Sequence, residues 1–240
     1  LMLLGAMPFV LLLRAARGQP RPLLRDSQVA WLLITVAVCS LLLAVWLHAE
    51  DHLLGLDALR LGFFTTVSTM TGTGLTANQT ILWDGFPVAV LLLVMFVGGA
   101  AGSTTSGVKL FRVRIFVSAA MAQLRRLTQP HGIFIVYFNR RPVPNEVVDQ
   151  VMGFLFLFGI AYAGLAAGLG LMGVELTVAL SAAASALANV GPGLGDPHIA
   201  LGYYGGLPAL AKWWLCFGML LGRLELLTLL VLFSRAFWRS

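Results

Sequence analysis

Charge is scarce in this sequence. Asp, Glu, Lys and Arg make up 11% of the 240 residues while 59% are hydrophobic, whereas about a quarter of a soluble globular chain is charged. So few charges cannot cover a water-facing surface, so water is not the chain's main solvent. Metal-ligand and redox patterns are missing too. Cys39 and Cys216 stand alone in apolar stretches without CxxC or Cys/His spacing, and read as small buried hydrophobes. His48, His52, His131 and His198 fall outside the hydrocarbon region, and there is no Ser/His or HExxH constellation, which leaves an enzyme without nucleophile, base or metal. No signal peptide is recognisable, and Leu1 already lies in an apolar run, as expected of a fragment.

What is present is a series of long apolar runs. Crossing about 30 Å of hydrocarbon takes roughly 20 residues of helix, and several segments meet that length. Residues 1–13 read as the end of an apolar helix, and 29–48 as a full span closing at His48, Glu50, Asp51 and His52. The segment from Trp83 to Val117 is too long for one straight crossing, and its middle, Gly98 to Gly107, is a glycine and hydroxyl run that should unwind a helix at membrane depth. Residues 147–172 and 205–238 are two further spans. Two shorter apolar pieces, 60–76 and 175–191, end in glycines and are too short to cross.

The net charge of +6 sorts by membrane side rather than forming a nucleic-acid patch. Arg14, Arg17, Arg21 and Arg25, then Lys109, Arg112, Arg114, Arg125, Arg126, Arg140 and Arg141, then Arg235 and Arg239 share one side if the spans alternate and both short pieces dip in and return. That side is cytoplasmic by the positive-inside rule. Glu50, Asp51, Asp57, Asp84, Glu175 and Asp196 gather opposite, with only Arg60 and Lys212. Span, dip, span thus occurs twice, in 29–118 and in 147–238. An offset of 117 overlays Gly72-Thr73-Gly74 on Asn189-Val190-Gly191, whereas 119 matches Gly72, Gly74 and Leu75 to Gly191, Gly193 and Leu194. Both repeats begin on the cytoplasmic side, which argues against a secondary transporter of inverted repeats.

Re-entrant backbone survives at membrane depth only against protein or a water-filled path. Glycines at the tips of two such dips fit a stack of backbone carbonyls that replaces a cation's hydration shell. No Asp or Glu stands among the glycines of either loop, which favours a large monovalent cation over a divalent one.

The runs GGAAGSTTSGVKLFRV (98–113), NVGPGLG (189–195) and MLLGRLELLTLLVLF (219–233) resemble the C-terminal half of the Trk/Ktr/HKT superfamily of potassium transporters, on its TrkH-type bacterial branch. The resemblance implies an all-α integral membrane protein of potassium-channel-like repeats, each a span, a re-entrant pore helix and a span, with two of an expected four present here. Residues 1–28 would end a preceding repeat, 29–146 form the third with its cytoplasmic connection, and 147–240 the fourth. It also implies filter strands at Gly72, Thr73 and Gly74 and at Asn189, Val190 and Gly191, which departs from the channel-type TVGYG pattern. Potassium would be the substrate, taken up across a bacterial cell inner membrane by a multi-pass chain. An ion-coupled symporter of potassium or sodium is the alternative.

The resemblance further implies a gate, formed by the loop Gly102, Ser103, Thr104, Thr105, Ser106 and Gly107. Arg223 lies mid-span, where an arginine costs about 2.5–3.5 kcal/mol on insertion scales. The offset of 117 sets it level with Ser106 and 119 with Thr104, so it is expected to help close the loop. Glu225, two residues on, points to another helix face, and Lys109 and Arg112 are expected at the cytoplasmic end of the broken helix. Residues 119–146, with Arg125, Arg126, His131, Arg140 and Arg141 around apolar Ile133 to Phe138, form the largest cytoplasmic connection. Family resemblance implies a TrkA-like nucleotide-binding regulatory subunit there and a homodimer of the membrane subunit. Lipid headgroups compete for the same basic face. No cofactor is expected in the chain itself, only a nucleotide on the partner.

Overall fold

The structure, a computed structural model, describes residues 1–50, 55–77, 83, 85–129, 132, 134–139 and 141–224. Asp51, His52, Asp84, His131, Ile133, Arg140, Glu225, Arg235 and Arg239 lie outside the described residues.

The apolar stretch 1–13 is not the end of one helix but two pieces, α1 (Met2–Ala6) and α2 (Phe9–Ala16). Pro8 explains the break: it has no amide hydrogen and forces the residue before it out of the helical region, and Met7 is extended at φ −87°, ψ 158°. A short α3 (Arg21–Arg25) leads to α4 (Ser27–Glu50). Asp26 caps α4, its Oδ1 accepting from the amides of Gln28 at 2.8 Å and Val29 at 3.3 Å, two of the donors a helix start leaves unpaired. With 24 residues, α4 is about 36 Å long at helical rise, enough to span a bilayer.

Helix α5 (Gly55–Met70) packs against α4 and α6 (Phe86–Phe96), giving the first span, dip and span. The third apolar segment is broken as expected, over Val97 to Lys109, before α7 (Leu110–Thr128). A two-stranded hairpin, β1 (Tyr137–Phe138) with β2 (Arg141–Pro142), follows, with Asn139 at φ 51° in its turn. Arg126 ties the segment before it to α7 by donating to the Phe134 carbonyl at 3.1 Å.

The second repeat comprises α8 (Asn145–Leu171), α9 (Leu176–Ala188), a short α10 (Pro197–Ala200) and α11 (Ala209–Arg223), with α9 packed between α8 and α11. In α8 the buried residues are Val151, Phe154, Phe158, Leu165 and Leu169, while Phe156 and Ile160 are exposed; one apolar stripe faces protein and the rest faces outward, as lipid permits. Helix α9 is mostly Ala and Ser and is buried from Val178 almost without interruption. Small side chains let neighbouring helices close in around it. Contacts of α9 with α6 join the two repeats. Cys216 corrects the expectation of two buried cysteines: it is exposed on α11 near exposed Trp213 and Phe217, whereas Cys39 is half-buried.

Helices α4 and α5 cross closely at Gly62. A Cβ there would lie 2.9 Å from the Ser40 carbonyl oxygen and 3.2 Å from the Ala44 amide nitrogen. Gly62→Val is expected to cost about 1–3 kcal/mol by overpacking, read as a lower midpoint of thermal unfolding in detergent. Gly164→Val, at a position with nothing within 4 Å, should leave that midpoint in place.

Candidate functional site

The two re-entrant helices end in the same way. After α5, the Thr73 amide donates to the Ser68 carbonyl at 3.0 Å and the Gly72 amide to Thr69 at 3.2 Å. After α9, the Val190 amide donates to Ser185 at 3.0 Å and the Asn189 amide to Ala186 at 3.2 Å. Each is a Schellman ending, whose C′ residue must be left-handed. Gly72 has φ 65° and Asn189 φ 55°, glycine and asparagine being the residues that accept this region most readily. The matching bonds fall at an offset of 117, which decides between the two registers open from the sequence.

Beyond these endings the two loops touch. A Cβ added to Gly72 would stand 3.6 Å from the Asn189 carbonyl oxygen; one added to Gly74, at φ 71°, would collide with the Val190 carbonyl oxygen and lie 2.9 Å from Pro192 Cδ. Only glycine fits that close approach. Gly191, at φ 108°, has nothing within 4 Å of an added Cβ.

The unwound segment closes on itself. Val97 and Val108 form a parallel bridge, with the Gly98 amide donating to the Val108 carbonyl at 2.9 Å and the Val108 amide to Phe96 at 3.1 Å. Inside, Thr105 Oγ1 accepts from the Gly99 amide at 2.9 Å and meets Ser103 Oγ at 2.7 Å, and Ser103 donates to the Ala100 carbonyl at 2.6 Å. These hydroxyls satisfy backbone that no lipid would satisfy. The break at Pro8 supplies the rest: the Ala100 amide bonds the Ala6 carbonyl at 2.9 Å, Thr104 bonds Gly5, and the Phe9 amide bonds Gly102 at 3.1 Å. Gln28 Oε1 holds the Ala101 amide at 2.8 Å.

Arg223 Nη1 donates to Ser106 Oγ at 3.0 Å, from 117 residues away. Next to it, Ser103 to Gly107, Lys109, Arg112, Phe154, Phe158, Gly222 and Arg223 line a cavity of about 210 Å³. The Arg112 guanidinium lies 3.9 Å from the Phe154 ring centroid, a cation–π contact. Glycine loop and unwound segment are neighbours through the end of α9. Asn189 Nδ2 donates to the Met219 carbonyl at 3.2 Å, a Cβ on Gly222 would collide with the Leu187 carbonyl oxygen, and one on Gly107 would meet Ala188 Cβ at 3.5 Å.

A family model, TrkH, described as a cation transport protein, matches residues 23–240. The chain belongs to the TrkH family. It is 42% identical over 239 residues to the Trk system potassium uptake protein TrkI of Halomonas elongata, covering all of this chain and 48% of that protein. It is 37% identical over 203 residues to the Trk system potassium uptake protein TrkH of Vibrio parahaemolyticus, 85% of this chain and 41% of that one. The crystal structure of the potassium transporter TrkH from V. parahaemolyticus matches with a TM-score of 0.90 at 32% identity, over 99% of this chain and 51% of that chain. The chain therefore spans about half the length of the curated TrkH-family relatives it matches. The expected superfamily and its all-α, channel-like membrane fold hold, and the relatives are named as transporters, not enzymes.

The residues singled out from the sequence, Gly72 to Gly74, Asn189 to Gly191, Gly102 to Gly107 and Arg223, thus form one connected region in this TrkH-family chain. Sequence reasoning missed the anchors of the unwound segment, Gly5, Ala6 and Gln28, although Pro8 within an apolar run was a signal for the break. It also missed Tyr204, whose hydroxyl reaches the Gly191 carbonyl at 2.8 Å; no motif or period marks that residue.

Proposed function

We propose that this chain forms two of four walls around a potassium path in a bacterial inner-membrane uptake system. The observation that carries the reading is the backbone-to-backbone meeting of two equivalent loops, Gly72-Thr73-Gly74 and Asn189-Val190-Gly191, at the C-terminal ends of two re-entrant helices. Those ends each carry the equivalent of about half a negative charge, which attracts a cation. The loops offer carbonyls and no carboxylate, which holds a monovalent cation without trapping it. Potassium sheds its water there and passes toward the unwound segment.

Gly102 to Gly107 is the gate, and Arg223 holds it through Ser106. Lys109, Arg112 and Arg223 around the adjoining cavity raise the potential a cation meets until the loop moves. The membrane subunit works as a homodimer, and a nucleotide-binding regulatory subunit docks on the basic connection that includes Arg125, Arg126 and Arg141.

Flux measurements in liposomes test this. The four-repeat polypeptide is expected to pass potassium down its own gradient at a rate unchanged by an imposed proton or sodium gradient; a rate that follows either gradient selects the symport reading. The 240-residue stretch alone, as a monomer, is expected to carry no selective flux. Robust selective flux from that monomer sinks the four-wall arrangement.

A further inference from the structure

Both backbone polar groups of Gly191 are held by side chains, one in each of the two peptide planes that meet at this residue. Its amide donates to Ser185 Oγ at 3.0 Å, and its carbonyl accepts from the Tyr204 hydroxyl at 2.8 Å. Gly191 is thus held from both sides by two side chains, Ser185 on its amide and Tyr204 on its carbonyl. Burial pushes the Tyr204 hydroxyl up to about 12, against a smaller lowering by Ser185, so the phenol keeps its hydrogen at any pH a cell meets.

Among the described residues, the third repeat shows no counterpart of the Tyr204 bond. The position 117 residues before Tyr204 is Pro87. There the Gly74 amide goes to the Ser68 carbonyl at 3.3 Å, and the Ser68 hydroxyl holds the Leu75 carbonyl at 2.7 Å. Gly74 is also wedged against Val190 and Pro192, whereas Gly191 has open space where a Cβ would stand. Packing therefore fixes the peptide orientation at Gly74. At Gly191, hydrogen bonds must do so.

We infer that Tyr204 is a positioning residue for the ion path: its hydroxyl, with Ser185, sets the two peptide planes that meet at Gly191 and thereby the selectivity of the fourth-repeat loop. A peptide in an open, left-handed glycine turns over easily. With both planes pinned, the Val190 and Gly191 carbonyls each keep one direction, and preorganised oxygens discriminate between cations of different radius where mobile ones adapt to either. This rests on the reading that Asn189 to Gly191 line the path.

The test is Tyr204→Phe in the four-repeat polypeptide, reconstituted in liposomes, with potassium and sodium uptake measured side by side and the thermal midpoint recorded. The ring stays in place and only the hydroxyl is lost. Potassium-over-sodium discrimination is expected to fall by roughly two- to tenfold, the scale of one neutral hydrogen bond, through a rise in sodium uptake at an unchanged thermal midpoint. Ser185→Ala should do the same, and the double variant should be little worse than either. Tyr203→Phe, at an exposed neighbour, serves as the control. If both ions slow together at a constant ratio, Tyr204 is a packing residue and the inference fails. If Gly191→Ser changes discrimination while Tyr204→Phe does not, the inference fails and the path reading stands. If neither variant changes it, both fall.

Discussion

Gly74→Ser in the four-repeat polypeptide is expected to abolish most discrimination between potassium and sodium. Two costs coincide at this position: φ is 71°, and an added Cβ would run into the Val190 carbonyl oxygen of the facing loop. A non-glycine residue held in a sparsely populated backbone region costs on the order of 1–3 kcal/mol, and every 1.4 kcal/mol is about tenfold in an equilibrium. Because Val190 carries the displaced carbonyl, the damage spreads from one glycine loop into the other. Gly191→Ser, with room for its Cβ, should be milder. The measurement is paired uptake of the two ions at matched protein density. Discrimination retained in Gly74→Ser would move the filter away from these loops.

The second large effect is expected at the gate. Arg223→Ala removes the donor to Ser106 and one of the cations beside the cavity, so potassium flux should rise and depend less on the regulatory partner. Arg223 is exposed in this chain, so its bond to Ser106 is weaker than the roughly 1.5–3 kcal/mol of a dry charged hydrogen bond. Ser106→Ala should reproduce part of the rise. Combining the two should add little, since residues sharing one contact couple by about 0.5–3 kcal/mol. Arg223→Lys, which keeps the charge, should stay nearer to wild type than Arg223→Gln if electrostatics dominates over guanidinium geometry. A fall in flux for Arg223→Ala at equal surface expression would make the arginine a strut.

Much of this arrangement was legible because lipid narrows what a chain can do. Apolar length marked α4 and α8, arginine placement required the two dips, and the run from Gly98 to Gly107 marked the unwound segment. The register was harder. Identity matching pairs Gly72 with Gly191 as readily as with Asn189, because it does not see that Gly72 and Asn189 do the same backbone task at a helix end. Cys216 misled for a related reason: in a membrane chain an apolar neighbourhood faces outward as often as inward, so hydrophobic surroundings are no measure of burial. Tyr204 and Gln28 were invisible because each acts through a single long-range bond, and a pairwise contact leaves no periodic trace along one sequence.

The bridge between Val97 and Val108 has a consequence for speed. A segment whose two ends are fastened to each other, by the bonds from Gly98 to Val108 and from Val108 to Phe96, is a flap on a fixed root. On the proposed gating reading, the stretch from Thr105 to Gly107, between the anchors on Ala100 to Thr104 and the root at Val108, can swing off Arg223 while α6 and α7 keep their places. Loop motions run at nanoseconds to microseconds, whereas collective helix and domain rearrangements take microseconds to milliseconds. Opening of this kind leaves the outer shape of the subunit unchanged, so a regulatory partner needs only to bias where the flap rests, not to lever the helices apart.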